Sequence, residues 1–90
     1  MNTDSVIYRF KSAARHQGRD IAEIEVHAPR MRDLKAIEGV TGKAARIAKT
    51  IETLTGMTQR EIDDLHFADV NGLGDVVAKL FSAEPQPSHN

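Results

Sequence analysis

Between Ala44 and Phe81 aliphatic residues recur at helical spacing on both sides of one turn, Thr55, Gly56, Met57, Thr58. The rest of the chain reads as an addition to that unit. Ala44, Ile47, Ala48, Ile51 and Leu54 form one apolar stripe of a helix, with Lys43, Arg46, Lys49, Glu52 and Thr53 opposite. Gly56 follows the last apolar position and suits a positive-φ stop, and Thr58 with Glu61 is a capping-box pattern that starts another helix. The short segment after it turns Ile62 and Leu65 inward and leaves Asp63 and Asp64 in solvent. A last helix is predicted from near His66, with Phe67, Val70, Leu73, Val77, Leu80 and Phe81 as its buried stripe. Asp69 lies in its first turn, where a carboxylate can accept an orphan amide proton and complement the dipole. Gly72 and Gly74 weaken that helix by roughly 1 kcal/mol each relative to alanine, which points to close packing or to a partner-dependent segment.

Residues 5–11 and 20–27 alternate apolar and polar positions with β-branched and aromatic residues, and predict an antiparallel hairpin over 5–27. Pairing Val6 with Val26 puts Tyr8 opposite Ile24 and Phe10 opposite Ala22 on one face. Arg9 then meets Glu23, and Ile7 meets Glu25, on the other. This register gives the hairpin one apolar side to lay on a helical layer. Pro29 ends the second strand. A short helix follows in which Met31, Leu34 and Ile37 face inward while Asp33 and Lys35 face out, and Gly39 and Gly42 bracket the next turn. The predicted fold is α+β, a two-stranded antiparallel hairpin packed on three to four helices over 30–81. It forms a single small domain, 1–81, with a Pro-rich flexible tail at 82–90.

At 90 residues, with three Phe, one Tyr and no Trp, the core has to be aliphatic and thin, so self-association or a partner that covers apolar surface is expected. The net charge of −1 conceals two halves of opposite sign. Residues 1–49 carry ten basic and six acidic side chains, and residues 50–90 carry two and seven. Such halves attract each other within the fold or between copies, and neither is charged enough to make nucleic acid the default partner. The absence of cysteine excludes disulfides and thiolate metal sites. With no signal-like N-terminus and no run of membrane-spanning length, a cytoplasmic protein is expected.

Little in the chain suggests chemistry. Gly39, Val40, Thr41, Gly42, Lys43 does not make a phosphate loop, since no Ser or Thr follows the lysine and a helix precedes it. It compares better with the Gly-x-x-Gly clamp of KH-type RNA-binding modules, with Lys43, Arg46 and Lys49 nearby, but a third strand is missing and Glu38 stands before the first glycine. A helix cap and tight connector is the simpler reading. Asp63, Asp64 and His66 read as a solvated turn with a capping histidine before they read as metal ligands. No serine or carboxylate pair has a catalytic context, and neither an enzyme nor a cofactor is expected. Arg30, Arg32, Lys35, Lys43, Arg46 and Lys49 make a basic rim, either a solvated face or a docking patch.

The order of these parts resembles the phage tail assembly chaperones, the E/41-type proteins encoded before the tape measure in contractile-tailed phages and prophages. The resemblance runs from about Ile21 to Phe81. It rests on Val26, His27, Ala28, Pro29, then Met31, Arg32, Asp33, Leu34 and Ile37. Further along it rests on Leu54, Thr55, Gly56, Met57, Thr58, on Ile62, Asp63, Asp64, Leu65, and on Phe67, Ala68, Asp69, Val70 leading to Phe81. Met1 to Lys11 and the glycines at 72 and 74 depart from it. The resemblance implies a non-catalytic helper that binds the tape measure protein and keeps it soluble until tail tube subunits polymerise around it. A frameshift-extended form would attach at the 82–90 tail and reach the tail tube protein. On this reading Ile47, Ile51, Leu54, Val77, Phe81, Arg46 and Lys49 are candidate partner-binding residues, the apolar ones core first and client surface second, and a homo-oligomer fits the charge asymmetry. The RNA-binding module remains the alternative, and a self-assembling structural subunit a third reading.

Overall fold

The computed structural model describes residues 5–82. Two strands, β1 (Ser5–His16) and β2 (Arg19–His27), form an antiparallel hairpin. Four helices follow: α1 (Met31–Glu38), α2 (Lys43–Thr55), α3 (Gln59–Asp63) and α4 (Phe67–Ser82). The arrangement is α+β, as the alternation and helical periodicity predict. Apart from Ser82, which closes α4, the expected tail lies outside the described residues.

The first half of the hairpin register follows from the alternation, with Val6 opposite Val26, Ile7 opposite Glu25, Tyr8 opposite Ile24 and Arg9 opposite Glu23. Beyond Arg9 the two strands fall out of step. The next pair is Ala14 with Ile21, so β1 bulges between Arg9 and Ala14, and the expected Phe10–Ala22 pair does not form. The first strand also runs on past Lys11 to His16. Gln17 and Gly18 close it as a two-residue turn with positive φ at both positions (56° and 78°), the backbone that matches the twist of a tight hairpin.

Tyr8, Ala14, Ile24 and Val26 from the hairpin pack on Ile51, Leu54, Met57, Ile62, Leu65, Leu73 and Val77. Val26, Ile51, Leu54, Met57 and Leu73 are wholly enclosed. Gly56 ends α2 in the left-handed region (φ 84°), with its amide bonded to the Glu52 carbonyl at 2.9 Å. The Thr58–Glu61 box then forms in both directions. The Glu61 amide donates to Thr58 Oγ1 at 3.1 Å, and the Thr58 amide donates to Glu61 Oε1 at 2.9 Å. His66 caps α4, its Nδ1 accepting from the Ala68 amide at 3.0 Å.

Two predicted helix faces are turned. In α1 it is Asp33 and Ile37 that are buried, while Met31 is 65% and Leu34 46% exposed. Steps of about 100° per residue place Ile37 within about 40° of Asp33 but about 120° from Met31, so the face follows the four-residue spacing. The Asp33 carboxylate turns back to accept the Arg30 amide at 2.8 Å, which makes its burial tolerable. In α4, Leu73 and Val77 are buried and Val70 and Leu80 half-buried, but Phe67 is 71% and Phe81 39% exposed. Counted the same way, Phe67 stands about 120° from Leu73, too far round to share its face.

Candidate functional site

The hairpin is fastened to the helices by two carboxylates. Asp69 is fully enclosed. It does not serve the amides of its own helix, as its first-turn position suggests; it faces β1 instead. Its Oδ1 accepts from the Tyr8 hydroxyl at 2.7 Å and the Lys11 amide at 2.8 Å, and its Oδ2 accepts from the Ser12 amide at 3.1 Å. Those amides belong to the bulge, so the irregularity of β1 exists where two donors leave the ladder and meet a buried anion. Burial alone pushes the Asp69 carboxyl up. The Lys11 amide, the Tyr8 hydroxyl, the Ser12 amide and the nearby His66 outweigh it and hold the group below the usual carboxylate range. Tyr8, desolvated and bonded to that anion, is pushed up to about 12.

Glu61 does the same at the hairpin tip. Beyond its capping role, its Oε2 accepts from the Gln17 amide at 2.8 Å, and its Oε1 lies 2.8 Å from His16 Nδ1. The Gln17 amide, the His16 ring and the Thr58 amide together draw its carboxyl down to about 2. The His16–Glu61 contact joins the hairpin tip to α3, while Arg9–Glu23 and Arg15–Asp20 pair within the hairpin. Among the described residues no buried side-chain nitrogen or oxygen lacks a partner, and no cluster of three or more His, Asp or Glu is placed to hold a metal.

With the hairpin on one side of the helical layer, an apolar groove of about 570 Å³ stays open elsewhere. Lys43, Ala44, Ile47 and Ala48 of α2 form one wall. Ile62, Asp63 and Leu65 from α3 and its connector, with Phe67, Val70 and Asn71 of α4, form the other. A smaller cleft of about 230 Å³ lies between α2 and α4, lined by Arg46, Thr50, Gly74 and Val77 among others, and Ile47 is the ridge shared by both. Of the candidate partner-binding residues, Ile51 and Leu54 are fully enclosed and Val77 nearly so, which places them in the core. Ile47 and Arg46 reach the grooves. Arg46 also donates from Nη1 to the Val40 carbonyl at 3.2 Å, and Lys49 sits 3.5 Å from Glu52. Phe81 is exposed but lines neither groove. Sequence reasoning missed Phe67 as surface, although the angular count from Leu73 is enough to find it.

Gly39 and Gly42 act as the C-cap of α1 and the residue before α2, as a simple connector requires. Nothing in the fold or the comparisons favours the RNA-binding alternative. The family model for phage tail assembly chaperone proteins, E, or 41 or 14, matches residues 10–82. The chain belongs to that family. The match begins within β1, upstream of where the resemblance starts, and so takes in the bulge that meets Asp69. No curated protein and no solved structure matches the chaperone. Among its described residues no helix is long and apolar enough to cross a membrane.

Proposed function

We propose that this tail assembly chaperone binds the tape measure protein in the host cytoplasm during tail morphogenesis, without catalysis, and shelters amphipathic helical segments of it. The observation that carries this reading is the open groove between α2 and α4, with Phe67 exposed at its edge in a chain of this family. A groove of apolar side chains between two helices takes the apolar stripe of a third helix by the same ridge-and-groove packing that builds a bundle. Ile47 is the central contact, Phe67 and Val70 flank it, and Arg46, Lys49 and Phe81 extend the surface. A form extended beyond residue 82 would add contact with the tail tube protein.

Co-expression with the tape measure protein of the same phage tests this. The expected result is co-purification and a larger soluble fraction of the tape measure protein, both lost with Phe67→Asp or Ile47→Asp and kept with Arg9→Ala on the far face of the hairpin. If the tape measure protein is equally soluble with and without the chaperone, the reading fails.

A further inference from the structure

The groove carries its own complement. Phe67, on the wall opposite α2, has 71% of its surface in solvent, Lys43 stands on the α2 wall, and Asp63 stands on the same wall as Phe67. A surface that holds both a knob and a hole, and one charge of each sign on either side, is self-complementary under a twofold axis. With a net charge of −1 there is little self-repulsion to keep copies apart.

We infer that two copies of the chaperone cover each other's groove, Phe67 of each seated in the groove of the other and Lys43 of each beside the other's Asp63. The dimer is the form that waits for a client, because it hides the apolar surface that would otherwise aggregate. A client helix and the second copy compete for one site. That competition rests on the client reading above; the dimer itself does not.

Sedimentation of the purified full-length chain over a wide concentration range tests the dimer. The expected result is a reversible monomer–dimer equilibrium. Phe67→Ser weakens it by about a hundredfold or more, since each dimer loses two anchors, and spares the fold because the side chain is exposed. Lys43→Glu and Asp63→Lys each weaken it, and the double variant restores it to within a few-fold of the starting chain. A monomer at every concentration overturns the inference, as does a dimer indifferent to Phe67→Ser. A monomeric chaperone that still solubilises the tape measure protein sinks the dimer and leaves the function standing. A Phe67-dependent dimer with no effect on the tape measure protein does the reverse. A dimer that persists in the purified chaperone–tape measure complex overturns the competition.

Discussion

Two glycines in one helix should respond oppositely to the same substitution. Alanine raises intrinsic helix stability over glycine by about 1 kcal/mol at either position. At Gly74 nothing lies within 4 Å of the added methyl, so Gly74→Ala should stabilise by up to about that amount and raise Tm by about 4–8 °C for a domain of this size. At Gly72 the methyl would overlap the Tyr8 ring, with Oη, Cε1 and Cζ all within 2.8 Å of the new carbon. The ring cannot simply retreat. Its hydroxyl is held by Asp69 at 2.7 Å, and its edge-to-face partner Phe10 sits at a centroid distance of 5.3 Å. Overpacking costs about 1–3 kcal/mol, and losing a hydrogen bond to a charged acceptor about 1.5–3. Less the propensity gain, Gly72→Ala should lose about 1.5–5 kcal/mol, read as a lower midpoint in urea melts followed by far-UV circular dichroism. Tyr8→Phe frees the ring from its tether, so Gly72→Ala should cost at least about 1 kcal/mol less in that background. If Gly72→Ala proves as stable as Gly74→Ala, the close approach of α4 to Tyr8 is wrong.

Other outcomes follow from the two carboxylates. Asp69→Ala leaves the buried Tyr8 hydroxyl and the part-buried Lys11 and Ser12 amides without their acceptor and should destabilise by about 3 kcal/mol or more in the same melts. Glu61→Gln should lower Tm and speed hydrogen exchange at the Gln17 amide, with little change at Lys11. Asp69 and Glu61 both ionise more readily folded than unfolded, so their contribution is complete above about pH 4.5 and is lost as pH falls, for Glu61 through about 2. Tyr8 has the opposite sign. Its contribution holds below about pH 10 and is lost as pH rises through about 12. Urea midpoints across pH should therefore fall at both extremes, and Asp69→Asn should flatten the acid limb. An unchanged acid limb would count against the anionic clamp.

The helices, the stop at Gly56, the Thr58–Glu61 box and the hairpin pairs from Val6 to Arg9 were legible because each depends on residues close in sequence or on strict alternation. The bulge after Arg9 was not. Its cause is a carboxylate nearly sixty positions away, and no local pattern marks Lys11 and Ser12 as donors to Asp69. The face of α1 was misjudged because three-residue spacing looks like a stripe over two turns, and because an acidic residue is an unexpected occupant of an inner face. Phe67 passes for core because its three-residue step to Val70 continues the stripe, although it lies too far round from Leu73. Periodicity finds the apolar face of a helix without saying which part of it the neighbouring elements leave open, so Ile51 and Leu54, enclosed in the core, and Ile47, at the groove, look alike in the sequence.

The first turn of α4 carries Phe67 outward to the groove and, two residues on, Asp69 inward to β1. The sheet is thereby a buttress for a groove that none of its own residues line. Tugging on the strand loosens the anchor of that turn and slackens one wall of the cradle. A cut or insertion near Ser12 should blunt capture of another chain without altering any residue that meets it.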